Sequence, residues 1–172
     1  MPNITFNHIV NYLENLADAH VSINSKYRWN AHEFSGALRN GVALPVMLID
    51  APETQTGGDA TKTLHNNTTA FTVLDKPNTR TGDFNEYEAQ NQVLNACQEI
   101  CFDLETRILH DAEKVKDSKN AKNWLYGLVS KNSFHHFKVG PVFSDGLYGY
   151  RCELTITNQV PTLPDITKWS DL

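Results

Sequence analysis

The sequence predicts an α+β domain: an antiparallel or mixed four-stranded sheet packed by one long helix and an N-terminal helix, with an extended C-terminal tail. Three observations lead there. An apolar stripe at helical spacing runs from residue 83 to 109, two compact β-rich runs lie at 42–50 and 68–76, and an Asp-Gly pair at 145–146 separates two further strand-like segments. Strands and helices do not alternate as βαβ units and no internal repeat is evident, so neither a doubly wound parallel sheet nor a solenoid is expected.

In chain order, "NITFNHIVNYLENLADAH" sets Ile9, Val10, Leu13, Leu16 and Ala17 at helical spacing, with Asn3 or Thr5 available as the cap. Residues 21–41 mix short apolar pieces with Asn and Ser and end on Asn40-Gly41, an irregular stretch with room for a short strand or a helical turn. "VALPVMLID" at 42–50 reads as a buried strand. Pro45 has no N–H to donate, which places that strand at an edge or at a bulge. A polar segment at 53–67 with Gly57-Gly58 and no periodicity reads as an exposed loop, and "TTAFTVLDK" at 68–76 as a second strand. The long helix follows, with Tyr87, Val93, Leu94, Cys97, Ile100, Cys101, Leu104, Ile108 and Leu109 on its stripe. "WLYGLVSKN" is a short helix or turn, and "FHHFKVGPVF" and "LYGYRCELTIT" form the closing hairpin. The chain divides into one domain over 1–157 and an extended arm over 158–172.

Along the last strand, alternation puts Tyr148, Tyr150, Cys152, Leu154 and Ile156 on a core face and Leu147, Gly149, Arg151, Glu153, Thr155 and Thr157 on a polar face. Such a face suits water or a neighbouring subunit. The candidate subunit-interface residues are Arg151, Glu153, Thr155 and Thr157, joined by Gly57 and Gly58 of the polar loop and Trp169 of the arm, because aromatic residues concentrate at binding hot spots.

The composition is that of an ordinary globular domain, and a net charge of −5 argues against a surface built to coat nucleic acid. No apolar run approaches the roughly 18 residues of a membrane span, and no signal peptide opens the chain, so synthesis and retention in the cytosol are expected. Three cysteines, Cys97, Cys101 and Cys152, are too few to staple a fold and fall at core positions, so they are expected as reduced, buried thiols.

Catalytic signatures are lacking. Cys97 and Cys101 share a helix face, but the close-paired spacings of a zinc site are absent, and His135 and His136 project to opposite sides of a strand. His8, His20, His32 and His65 sit in unrelated contexts, and Glu99/Asp103 and Glu105/Arg107 fall on the polar side of the long helix as a wetted face. "TGGDATKT" lacks the Gly-Lys-Ser/Thr ending of a phosphate loop, "GLYGY" is too short for a dinucleotide fingerprint, and no nucleophile elbow occurs. Neither a catalytic residue nor a metal or other cofactor is assigned. The rival to a structural role is a small cytosolic enzyme or ligand-binding domain with a pocket between the long helix and residues 53–67. A third reading is an adaptor that adds a partner strand at the edge bearing Pro45.

The order of elements, from the amphipathic first helix through "VALPVMLID", the polar segment, the long helix and the hairpin ending "GYRCELTIT", resembles the small neck proteins of tailed bacteriophages. Tail terminator, or tail completion, proteins are the nearest in layout, over residues 3–157. The resemblance implies a ring-forming, non-enzymatic virion protein of the head-to-tail connector, assembled in the host cytoplasm. Its partners would be copies of itself and adjacent portal, connector or tail rings, with DNA passing through the lumen without sequence-specific binding. The acidic balance fits a channel that lets phosphates slide. The arm from Asn158 departs from the simplest pattern and is free to clasp a neighbour.

Overall fold

The computed structural model of the chain describes residues 4–28, 41–59, 61–78, 86–117, 119, 121–143, 146–161, 163 and 165–171. The described elements run α1 (Phe6–Ala19), β1 (Ser25–Arg28), β2 (Val46–Ile49), β3 (Glu53–Asp59), β4 (Lys62–Asp75), α2 (Glu86–Glu113), β5 (His135–Val142) and β6 (Leu147–Val160), with short 3₁₀ turns at Lys131–Ser133 and Ile166–Lys168. The class is therefore α+β: among the described residues, two helices lie on a mixed sheet of six strands rather than four.

Helix α1 starts where expected. Thr5 takes an extended backbone as its N-cap, and its N–H donates to His8 Nδ1 at 3.1 Å. Asn3, the other cap candidate, lies outside the described residues. The helix buries Ile9, Val10, Leu13, Leu16 and Ala17 and stops at His20, whose extended backbone turns the chain toward β1. Strand β1 forms within the stretch read as irregular and pairs parallel with β2. Its Lys26 and Arg28 reach back to Asp18 and Glu14 of α1, the second pair at 2.8 Å. Residues 29–40 of that stretch, the expected helix start at Asp83 and the turn residues Ser144 and Asp145 lie outside the described residues.

The strands run β1-β2-β4-β6-β5 across the sheet. Both β2 and β3 lie along the same side of β4, one after the other: β2 pairs with Phe71–Leu74 and β3 with Lys62–Thr68. Asp50, Ala51 and Pro52 make the break between them. Two expectations are corrected here. Residues 53–59 and 62–67 are not a loop but paired antiparallel strands, invisible to periodicity because β3 is exposed along its whole length. Strand β2 is not an edge strand, since β1 covers its outer side, and Pro45 lies just before the strand rather than within it. An incoming partner strand therefore has no open edge at Pro45.

One face of the sheet is covered by the helices. Ile9, Leu13 and Leu16 of α1 and Val93, Cys97, Ile100, Cys101, Leu104 and Ile108 of α2 pack with Met47, Ile49, Phe71, Val73, Cys152, Leu154 and Ile156. Tyr148 and Tyr150 border this core, as the alternation of β6 requires. Of the stripe read from the sequence, Leu94 and Leu109 are half-buried and Tyr87 is 74% exposed in the first turn. The opposite face is not uniformly polar. Val46, Leu48, Leu74 and Leu147 form a second buried cluster there, ringed by Tyr27, Val42, Leu44, Val139, Val142 and Phe143. Leu147 and Gly149, assigned to the polar face, belong to this dry end.

The three cysteines are free and buried. Burial pushes the Cys97 and Cys152 thiols up to about 12, with nearby carboxylates adding to the effect, and Cys101 higher still. A thiol that ionises near 9 in the unfolded chain but resists in the fold adds stability below that pH and loses it above. Urea unfolding is thus expected to show stability constant near neutrality and falling from pH 9 toward 12, by about 1.4 kcal/mol per pH unit for each such thiol. Cys101→Ala should flatten part of that slope.

Gly57 and Gly58 differ sharply. A Cβ on Gly58, at φ +114°, would lie 2.0 Å from the Lys62 carbonyl oxygen, whereas one on Gly57 meets only Asn66 Nδ2 at 3.6 Å. Gly58→Ala is expected to fray the β3–β4 tip, read as faster amide exchange from Thr56 to Leu64, while Gly57→Ala leaves those rates unchanged.

Candidate interface surface

Because Phe71, Val73, Cys152 and Leu154 point at the helices, their neighbours on β4 and β6 point away. This outer face carries Asn66, Thr68, Ala70 and Thr72 from β4 opposite Thr157, Thr155, Glu153 and Arg151 from β6. It is laced by short polar contacts. Thr68 and Thr155 hydroxyls are 3.1 Å apart, and Thr157 Oγ1 donates to Asn66 Oδ1 at 2.9 Å.

Arg151 is the hub of this face. Its Nη2 lies 2.5 Å from Asp50 Oδ2, its Nε 3.3 Å from Glu153 Oε1 and its Nη1 3.4 Å from Thr72 Oγ1, while the guanidinium stands 5.9 Å from the Phe137 ring centroid. Burial works against the guanidinium charge, but the Asp50 and Glu153 carboxylates outweigh it and raise the Arg151 pKa. Asp50 can reach across because β2 ends there: the residue keeps the outward parity of Val46 and Leu48, and its N–H still donates to the Ala70 carbonyl at 2.9 Å. Asp50, Ala51, Glu53, Thr68, Thr69, Ala70, Arg151 and Glu153 line a shallow concavity of about 210 Å³. Residues 53–59 and 62–67, beside which the sequence placed a pocket facing the long helix, are paired strands, and the concavity beside them opens on the face turned away from α2.

The structure brings Arg151, Glu153, Thr155 and Thr157 onto one face. Gly57 and Gly58 lie near the hairpin tip, beyond that row, where Gly57 pairs with Leu64 and Gly58 with Thr63. Trp169 stands apart on the C-terminal arm, 56% exposed. The arm begins later than the sequence implies: β6 continues to Val160, and Asn158 is buried. Beyond it the chain folds on itself, Asp165 Oδ1 accepting from the Thr167 N–H and hydroxyl at 3.2 and 2.7 Å, and leaves Leu163, Ile166 and Trp169 all more than half exposed.

Sequence reasoning missed Asp50, which lies 101 residues from Arg151 and has no local signal. It also missed the pairing of Glu105 with His136, whose Nε2 is 2.6 Å from Glu105 Oε2 and 3.6 Å from Cys152 Sγ. Glu105 therefore faces β5 rather than open water. His135, by contrast, is exposed, as expected of its opposite side. The Cys152 thiol held up by burial is a poor nucleophile, so these three side chains act as a polar joint between α2 and the sheet. Among the described residues no group of three or more His, Cys, Asp or Glu side chains is placed to hold a metal ion. No helix among them is long and apolar enough to cross a membrane.

Compared with known families and curated proteins, the chain matches no family model and no curated sequence.

Arg151→Met would leave the Asp50 carboxylate half-buried without its cation and is expected to cost about 2 kcal/mol in urea unfolding. Thr155→Val loses a hydroxyl contact but keeps a strand-favouring side chain, so its stability should stay within about 0.5 kcal/mol of the parent.

Proposed function

We propose that this chain is a structural protein of the tailed-bacteriophage neck, a ring-forming subunit of the tail terminator or tail completion kind, without enzymatic activity. Copies would meet head to tail and close around a channel through which DNA passes, with adjacent portal, connector or tail rings above and below. Its place would be the virion neck, after assembly in the host cytoplasm.

The observation that carries the ring is the outer edge of β3. This strand has seven residues, all exposed, and among the described strands it pairs only with β4. From Thr54 to Gly58 it holds no proline and no charged side chain, the usual devices that keep a strand edge from pairing with another chain. The other edges are guarded: β1 has four residues, and β5 shifts register between Val139 and Val142 around Pro141. An open edge at one side of the subunit and a polar face plus an apolar-tipped arm elsewhere are two different surfaces, which is what a heterologous, ring-closing contact needs. The net charge of −5 supports a lumen that does not grip DNA.

Sedimentation velocity and native mass measurement over a concentration series test the reading. The full chain is expected to form a discrete closed oligomer, visible as rings by negative stain. Gln55→Lys, which places a charge in the middle of the β3 edge, and Trp169→Asp, which spoils the arm, should each shift the population toward monomer. A chain that stays monomeric at every concentration, with no rings in the images, would falsify the proposal.

A further inference from the structure

A second concavity lies far from the Arg151 face, between α1 and the turn that follows α2. It measures about 330 Å³ and is lined by Asn7, His8, Asn11, Tyr12, Asn15 and Trp124. Its walls are fixed. The Asn123 side chain donates to the Asp111 and Lys114 carbonyls at 2.7 and 2.8 Å, tying off the end of α2 and anchoring Trp124. The Tyr12 hydroxyl donates to Asp111 Oδ2 at 3.2 Å, and the Tyr12 ring meets the Trp124 ring edge-on at 87°, with centroids 5.8 Å apart. The His8 ring is also 5.8 Å from the indole, and its Nδ1 is held by Thr5.

Two features of the lining have no use within the domain. Asn7, Asn11 and Asn15 recur every fourth residue on the exposed side of α1, successive turns of one helix face, and their side chains have no hydrogen-bond partner among the described residues. They form a row of carboxamides about 6 Å apart along the helix axis, each able to donate and to accept. The cleft also contains no Lys, Arg, Asp or Glu side chain. Alternating donors and acceptors in a neutral row beside a fixed indole complement a chain of vicinal hydroxyls with apolar C–H faces. A nucleotide fits less well: its phosphates would find no cation, and one base edge spans a single carboxamide rather than the row.

We propose that the cleft between α1 and Trp124 binds a neutral oligosaccharide, its sugar rings lying along the Asn7, Asn11 and Asn15 carboxamides and against the Trp124 indole. The site shares no residue with the ring contacts proposed above and stands or falls independently of them. The volume falls at the lower end of small-ligand clefts, about 300–1,000 Å³, and suits a short segment of a glycan.

The test is saturation-transfer NMR together with tryptophan fluorescence on the full chain, using maltotriose, cellotriose, mannotriose and N-acetylchitotriose, with uridine and adenosine monophosphates as counter-probes. At least one trisaccharide is expected to saturate below about 10 mM, with transfer to ring C–H protons and a change in indole emission, and Asn11→Leu should weaken it at least about tenfold. Asn11 is exposed, so that variant tests the cleft without touching the core. Asn91→Leu, on the exposed side of α2, should bind like the parent. Lack of saturable binding by all four sugars, binding unchanged in Asn11→Leu, or preference for the nucleotides would each overturn the proposal.

Discussion

Residue by residue, β4 and β6 are paired from Thr63↔Val160 to Asp75↔Tyr148, and the rest of the molecule is hung on that ladder. It joins segments about 70 to 100 residues apart in the chain, so its closure entropy is met only when the apolar side chains it aligns are buried together. Phe71, Val73, Cys152 and Leu154 are brought side by side and present one dry surface to α1 and α2. The same pleat turns Thr68, Thr72, Arg151 and Thr155 the other way, so the dry face and the hydrogen-bonded face follow from one register. A slip of one residue would exchange them.

The ladder also outruns the helices. Where the apolar core ends, the helix side of the sheet is closed by a polar joint: Asn67 Nδ2 donates to Asn158 Oδ1 at 3.0 Å and to the Ile156 carbonyl at 3.2 Å, and the Thr54 hydroxyl donates to Asn67 Oδ1 at 2.8 Å. Asn67 and Asn158 are each 2% exposed. The Asn158 Nδ2 is buried without a partner among the described residues, and an unpaired buried donor is costly, so this joint fixes how β3, β4 and β6 sit against one another more than it adds stability. It ties β3 to β4 and β6 from one side, while among the described strands nothing pairs with the other side of β3.

What could be read from the sequence was whatever one solvent boundary sorts into a period. The helices α1 and α2 and the alternation of β6 from Tyr150 to Ile156 have a core side and a wetter side, and each was legible; the apolar half of β4, buried on both sides from Thr69 to Leu74, was legible as a compact β-rich run instead. Strand β3 has water on both sides, so Thr54, Gln55 and Thr56 show no alternation and resemble a loop. Strand β2 is buried on both sides, because Val46 and Leu48 fill a second cluster with Leu74 and Leu147, and a uniformly apolar run says nothing about which face is which. Asn158 looked like the start of the arm because its partner Asn67 is distant in sequence. The same distance hid Asp50 from Arg151 and Glu105 from His136, so the candidate surface was legible on β6 and not in the residues that hold it.

The proposed ring requires β3 to offer its outer edge to a copy of the same chain. Amide hydrogen exchange across a dilution series measures this directly. In dilute protein the outward-facing amides of residues 54–58 should exchange at nearly open-chain rates while Phe71, Val73, Cys152 and Leu154 remain the slowest, and the β3 amides should become protected as concentration rises. Protection of β3 that is the same at every concentration, or core exchange on β4 and β6 as fast as that of β3, would contradict it.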